Sequence, residues 1–284
     1  MQLSIGTPVV TMVTGSHARW EEHGTIEDVG RIAEAADRHG YHHLTCSEHV
    51  VVPPSQARRR GARYWDPLAT FGYLAARTSR IRFATNVLVL GYHHPLEIVK
   101  RYGTLDVVSH GRLILGVGVG TLEEEFNLLG APFEDRGERA DDAIAALRAS
   151  LSTNEPSYTG PYYAFEGLIV DPCAEQARVP IWVGGRTLRS LRRAVRVGDA
   201  WCPFAVTPAQ AQQWLQQVEL PDGFDVRLGP STLLDPLAEP QATADALGEL
   251  SGAGVTIAEA RFVHHSLDHY IEQLAALAAL NSGA

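Results

Sequence analysis

Two neighbouring side chains, Glu48 and His49, could carry acid–base chemistry. They follow residues 42–47, whose apolar and β-branched composition predicts a strand, so the pair is expected at a strand end. An imidazole titrates near neutral pH, and a carboxylate can likewise accept or donate a proton. The pair could contact a bound ring, donate a proton or act as a general base. A purely structural histidine is the competing interpretation.

A second candidate is the segment Gly184-Gly185-Arg186-Thr187, which joins a short apolar run to a helical pattern. A helix start offers unpaired N–H groups and a positive dipole end, and glycine lets a phosphate approach the backbone. A plain strand–helix turn is the alternative. No acidic residue occurs between Glu175 and Asp199, although the chain has a net charge of −9. The arginines between them predict an extended anionic ligand; they are Arg178, Arg186, Arg189, Arg192, Arg193 and Arg196.

Glycines at alternate positions, 116, 118 and 120, end another predicted strand. Residues two apart share one face of a strand, so that face lacks side chains. Either a planar ring lies close to it, or the glycines allow tight packing inside the fold. The spacing differs from the GxGxxG dinucleotide fingerprint, which disfavours nicotinamide binding.

Composition excludes several classes of protein. The acidic balance argues against general nucleic-acid binding, which needs excess Lys and Arg. The histidine pairs lack HExxH-type spacing, so no catalytic metal is expected, and no GxSxG elbow indicates a serine hydrolase. The amino terminus lacks a leader pattern, and no apolar stretch reaches membrane-spanning length. We expect a cytoplasmic enzyme or binding protein with reduced thiols and no membrane partner.

The elements that must position these residues alternate between strand and helix. Eight such units without a repeat predict an α/β fold, a (β/α)8 TIM barrel with its site at the carboxyl ends of the strands. We expect one domain over residues 1–284, with an insertion after the fourth strand–helix unit at 152–179. Residues 50–64 and 127–137 are expected to be irregular. Predicted strands cover 3–7, 42–47, 81–90, 112–119, 180–183, 199–203, 226–234 and 254–263, and predicted helices 25–39, 66–77, 94–108, 138–151, 187–197, 207–218, 243–250 and 266–280.

Several motifs together resemble the luciferase-like monooxygenase superfamily, and within it the branch that uses the deazaflavin coenzyme F420. The resemblance covers most of residues 1–203, and its most specific block is 78–126. The motifs are SEHV at 47–50, WDP at 65–67, TSRIRFATNVLVL at 78–90, SHGR at 109–112, LGVGVG at 115–120, EEF at 124–126, PIWVGG at 180–185 and GDAW at 198–201.

The resemblance implies a homodimeric barrel whose cofactor ring lies over the end of the third strand. Glu48 and His49 would then contact the deazaflavin, although relatives more often have Asp at the first position. It also implies a cis peptide bond that does not precede proline, within Thr85-Asn86-Val87. The wall of the ring site would be Gly118, Val119 and Gly120, and the phosphate would bind Gly184, Gly185, Arg186 and Thr187. Arg189 and the rest of that helix would hold the oligoglutamyl tail, with 58–60 as a second contact.

The implied reaction is hydride transfer between reduced F420 and a small organic substrate with an activated C=C, C=N or C=O bond, with Glu48 or His49 handling the proton. One alternative is an FMN-dependent monooxygenase of the same fold, which needs only the phosphate contact. Another is a protein that binds F420 without turnover.

Overall fold

Eight parallel strands close into a barrel in the computed structural model of the chain, which describes residues 1–13, 15 and 17–282. Each strand pairs with the next in sequence, and the last pairs with the first, so the predicted (β/α)8 fold is confirmed. The strands are β1 Gln2–Gly6, β2 His43–Cys46, β3 Arg82–Thr85, β4 Leu113–Gly118, β5 Ile181–Gly185, β6 Ala200–Pro203, β7 Asp225–Leu228 and β8 Ile257–Ala260.

Helices follow the strands and cover the barrel. Four begin after a capping residue, because Thr25, Asp66, Thr187 and Thr207 each accept a bond from the backbone N–H three residues on. The helices are α1 Ile26–Arg38, α2 Pro54–Arg60, α3 Pro67–Ala75, α4 Pro95–Val108, α5 Glu123–Leu129, α6 Arg136–Ser150, α7 Leu188–Val197, α8 Pro208–Leu215, α9 Pro240–Gly252 and α10 Leu267–Ser282.

Two segments that were expected to be irregular contain regular structure. Residues 50–64 form α2 and the strand Arg63–Tyr64, which pairs antiparallel with Thr11–Met12. Helix α5 extends to Leu129, into the segment 127–137. Both helices have only seven residues, and α2 buries none of them, so neither shows an apolar periodicity long enough to detect.

The third predicted strand, 81–90, is interrupted. Strand β3 ends at Thr85, and Leu88–Val89 then pairs with β4. The last two barrel strands are shorter than 226–234 and 254–263, and α9 is longer than 243–250. Between α6 and β5 lies a small antiparallel pair, Tyr158–Thr159 with Ala164–Phe165, inside the segment that we predict to be an insertion.

The core has two parts. The larger cluster of buried side chains lies between the barrel and its helices. The smaller cluster draws only on strand residues, among them Ile114, Trp182 and Ile257, and therefore lies inside the barrel. Within residues 1–13, 15 and 17–282, no helix has the length and apolar character needed to cross a bilayer.

Candidate functional site

A cavity of about 830 Å³ opens at the carboxyl ends of strands β2 to β6. Its position agrees with the rule that barrel sites lie at this end. All but one of the residues predicted to contact the ring or the phosphate, together with Arg189, line it, whereas of the second predicted tail contact, 58–60, only Arg60 does. Those of the first group are Glu48, His49, Asn86, Val87, Gly118, Val119, Gly120, Gly184, Gly185, Arg186, Thr187 and Arg189.

The exception is Thr85, which lies beneath the cavity and not in its wall. It is 1% exposed, and its hydroxyl donates to the Gly116 carbonyl at 2.7 Å. Its own carbonyl oxygen occupies the space beside Gly116, where an added Cβ would lie 1.9 Å away. Thr85 therefore joins β3 to β4, and its side chain lies outside the cavity wall, whereas the prediction places it in contact with the cofactor.

The peptide bond between Asn86 and Val87 is cis, as the family resemblance implies. Asn86 is held from both sides of the barrel. Its N–H donates to the Cys46 carbonyl at 2.8 Å, and its carbonyl accepts from the Ser47 hydroxyl at 2.7 Å. Its side-chain oxygen accepts from the buried Arg227 at 3.2 Å. These bonds fix the turn that presents Val87 to the cavity.

The Val87 side chain explains why glycines end β4 and β5. A Cβ added at Gly118 would lie 2.5 Å from Val87 Cγ2, and one added at Gly184 would lie 2.6 Å from Val87 Cγ1. Both distances are too short for any real contact between carbons. Packing is thus the structural reason for Gly116 and Gly118, and the face that the sequence leaves bare is filled by Thr85 and Val87. Val87 itself is the apolar wall of the cavity.

His49 is held by a carboxylate that the sequence analysis did not assign to the site. Its Nδ1 lies 2.6 Å from Glu125 Oε2, and its ring packs edge-on against Tyr64 at 4.5 Å between centroids. No hydrogen-bond partner for Nε2 is found in the described part of the chain. Nε2 is therefore the nitrogen available to a ligand in the cavity.

Glu125 is fully buried, and each of its oxygens accepts two hydrogen bonds. The N–H groups of Val50 and Val51 bond Oε1, while His49 and the Tyr92 hydroxyl bond Oε2. Burial alone would raise the pKa of Glu125, but the bonds from His49 and Tyr92 and the backbone outweigh it and lower the pKa. The carboxylate is thus ionised at neutral pH, and His49 Nδ1 donates to it.

Both carboxylate oxygens of Glu48 form hydrogen bonds inside the protein. Its Oε2 accepts from the Val89 N–H at 2.7 Å, and its Oε1 lies 2.6 Å from His93 Nε2. The neighbouring Glu48 and His49 do not bond to each other. Glu48 borders the cavity, but its carboxylate holds the chain that follows the cis bond.

Residue Glu125 could have been found from one signal. It belongs to the EEF motif on which the family resemblance partly depends, yet the glutamates beside it, Glu123 and Glu124, are exposed, so sequence alone does not distinguish them. Tyr64, Tyr92 and His93 carried no such signal.

The amino end of α7 borders the cavity as predicted. Thr187 caps the helix by accepting from the Ser190 N–H, and the earlier N–H groups of the first turn have no partners inside the helix. Gly185 has φ of 140°, and a Cβ there would lie 2.5 Å from Ser190. Only glycine fits this turn, and the helix end is suited to an anion.

The arginine run is only partly free for a ligand. Asp141 on α6 lies 2.6 Å from Arg193 and 2.8 Å from Arg196, and Asp199 lies 2.9 Å from Arg178. Within the described residues, no carboxylate pairs with the exposed Arg186, Arg189 or Arg192, and the first two line the cavity. The predicted cationic surface is therefore smaller than the sequence suggests.

A second cavity of about 310 Å³ continues the cationic side of the site. It shares Arg189 and Arg193 with the main cavity, so the two adjoin along α7. Its lining is Asp141, Arg189, Arg192, Arg193 and Arg196. An anionic chain that leaves the main cavity at the start of α7 would enter it.

The fold and site thus combine a closed parallel barrel, a cavity at the carboxyl ends of its strands, a cis peptide bond after β3 and the amino end of α7 in the cavity wall. The sequence profile of the luciferase-like monooxygenase family matches residues 7–221. The chain belongs to this family, whose members are oxidoreductases, monooxygenases among them.

Individual relatives agree with this assignment. An uncharacterized protein of Mycobacterium tuberculosis is 28% identical over 200 residues, which are 66% of this chain and 69% of the relative. The coenzyme F420-dependent tetrahydromethanopterin reductase of Methanopyrus kandleri superposes with a TM-score of 0.72 at 14% identity, covering 98% of this chain and 97% of that one. The FMN complex of the oxygenating constituent of 3,6-diketocamphane monooxygenase from Pseudomonas putida gives 0.67 at 14% identity, with 98% and 97% covered. At such identities the structures establish the fold alone.

Proposed function

We propose that the protein is an F420-dependent oxidoreductase, which transfers a hydride between the reduced deazaflavin and a small organic substrate with an activated C=C, C=N or C=O bond. One observation carries the choice of cofactor. The cavity does not end at the α7 start but adjoins a cationic pocket beyond Arg189. FMN ends at its phosphate, whereas F420 continues into an oligoglutamyl tail, and Arg189 and Arg192 have no carboxylate partner among the described residues.

The residues present fit such a cofactor at both ends. Val87, Val89 and Val119 give the cavity an apolar wall beside His49, which suits a flat ring. The start of α7 offers N–H groups and a positive dipole to a phosphate. The cavity volume of about 830 Å³ lies within the range of small-molecule and cofactor sites.

When bound, reduced F420 supplies the hydride. The chain supplies the proton path. Glu125 holds His49 Nδ1–H, which leaves Nε2 to give or accept a proton at the cavity surface. Glu48 fixes Val89 and His93, and through them the segment after the cis bond, so its role is to position the wall behind the ring. The Tyr64 ring packs against His49, whose side chain is 15% exposed, so few water molecules can reach it.

A titration of the purified protein with F420 and with FMN tests the proposal. We expect F420 to bind at least tenfold more tightly than FMN, and F420 with a shortened tail to lose part of that preference. Tighter binding of FMN would show that the cationic pocket does not select the cofactor, and would favour the monooxygenase. A hydride-acceptor screen with reduced F420 follows, in which binding without transfer to any acceptor would indicate a carrier.

We also propose that the protein is a homodimer, on the strength of the family resemblance. Light scattering of the purified chain tests this, and a monomer over the micromolar range would contradict it.

A further inference from the structure

Arg60 is the last residue of α2, and it reaches the cavity at the same end as His49. The Tyr64 hydroxyl donates to the Arg60 carbonyl at 2.6 Å, while the Tyr64 ring packs against the His49 imidazole. Tyr64 therefore links the two residues. The arginines before it on the same helix, Arg58 and Arg59, are exposed and do not border the cavity.

The guanidinium of Arg60 is poorly satisfied by the protein. Among the described residues its one side-chain hydrogen bond is from Nη1 to the Thr121 hydroxyl at 3.2 Å. Its Nε is buried and has no partner, and no carboxylate pairs with it within the described residues. A buried donor on a charged group costs free energy unless an acceptor reaches it. A ligand in the cavity cannot reach the buried Nε, but it could reach Nη2, which also has no partner among the described residues and is not buried.

Three other charged groups near Arg60 and His49 are already engaged. Glu48 bonds His93, and Glu125 bonds His49. Arg136 stacks on the Phe133 ring at 3.7 Å and donates to backbone carbonyls. Arg60 is thus the cation near His49 that lacks both an aromatic face and an anion among the described residues.

We propose that the substrate of this site is a small organic acid whose carboxylate binds Arg60, with its reducible double bond placed towards His49 Nε2. A planar guanidinium matches a carboxylate with two parallel hydrogen bonds, which would orient the substrate as well as hold it. This inference depends on the proposed function for the reaction, but the anion site itself depends only on Arg60. The same chemistry could serve a glutamate of the cofactor tail, so the test must separate the two sources.

The experiment uses pairs of probes that differ only in charge: crotonate, trans-cinnamate and pyruvate, each against its methyl ester. Their binding is measured by calorimetry with the protein alone and with the protein saturated with oxidised F420. We expect at least one acid to bind more tightly than its ester. In the Arg60→Gln variant that acid should lose about 10- to 100-fold in affinity while its ester is unchanged. Arg60→Lys should retain part of the preference, and Arg58→Gln, on the exposed side of the same helix, should retain all of it.

Three results would overturn the inference. Esters could bind as well as acids throughout the panel, or the acid preference could persist in Arg60→Gln. Alternatively, Arg60→Gln could weaken F420 itself tenfold or more, which would assign Arg60 to the cofactor tail. Failure of the proposed function looks different: F420 would not bind the wild type at all, while an Arg60-dependent acid preference would still be measured without it.

Discussion

His49 Nδ1 and Glu125 Oε2 lie 2.6 Å apart at the wall of the cavity, with the carboxylate fully buried. Since the carboxylate also takes bonds from Tyr92 and two backbone N–H groups, it has no freedom to turn away. The pair sets which nitrogen of His49 carries hydrogen, and so decides what His49 can do to a ligand.

Replacing Glu125 by Gln should reverse the tautomer of His49. The amide oxygen can still accept from Val50 and Val51, so the amide NH2 must face His49 and Nδ1 must become an acceptor. The hydrogen then moves to Nε2, so the His49 nitrogen that faces the cavity can no longer accept a proton. Hydride-transfer turnover should fall by about 10²- to 10⁴-fold, with F420 binding retained.

Long-range 1H–15N spectra of the His49 ring measure the tautomer directly. Glu124→Gln is the matched control, because Glu124 is the exposed neighbour on the same helix. An unchanged His49 tautomer in Glu125→Gln would show that this carboxylate does not orient the ring.

The elements of the fold could be predicted from sequence because their signals are local. Helix caps act over three residues, as at Thr25 and Thr187, and apolar patterns mark the strands. The position of the site could be predicted, but the contacts between its side chains could not. Glu125 meets His49 across 76 residues of sequence, and Asp141 neutralises Arg193 across 52, and neither pairing leaves a local pattern. The glycines at 116, 118 and 120 did not show whether a planar ring or packed side chains lie beside them. The answer depends on where the turn after β3 places Val87.

Acid should destabilise the wild type more than Glu125→Gln. The folded pKa of Glu125 is below its ordinary value of 4.5, so its contribution to stability is complete above that value and is lost as the pH falls through the folded pKa. The variant has no proton to take up at this position. Urea unfolding at pH 7, 5, 4 and 3.5 should therefore show the stability difference between the two proteins shrinking below pH 4.5.

Other carboxylates with lowered pKa values, such as Asp37 and Asp199, titrate equally in both proteins. A constant difference over this range would mean that Glu125 has the same pKa folded and unfolded.

Adding a methyl group at Gly118 should damage the cavity wall. The new Cβ would lie 2.5 Å from Val87 Cγ2, and Val87 cannot rotate away because its other methyl group packs against Gly184. Overpacking of this kind costs about 1–3 kcal/mol of unfolding free energy, measured by urea denaturation.

The double variant Gly118→Ala with Val87→Ala should recover part of the loss that Gly118→Ala causes. Gly72→Ala on α3 is the control, since its Cβ meets no atom of the described residues within 4 Å and alanine favours a helix. Full stability of Gly118→Ala would show that Val87 does not fill this space.

Charge reversal on α7 should separate the free arginines from the paired ones. Arg189→Glu and Arg192→Glu place a negative charge in the pocket proposed for the oligoglutamyl tail, where no carboxylate among the described residues pairs with the native arginines. We expect each to weaken F420 binding by about tenfold or more at low salt, with a smaller effect at 0.5 M salt because screening shortens the range of the interaction. FMN binding should change much less, since FMN has no tail.

Arg193→Glu is a poor test, because it faces Asp141 at 2.6 Å and its effect would include loss of fold stability. Arg38→Glu, at the exposed end of α1, is the control for net charge. Equal losses for F420 and FMN in Arg189→Glu would place Arg189 at the phosphate and leave the tail without a binding site on this helix.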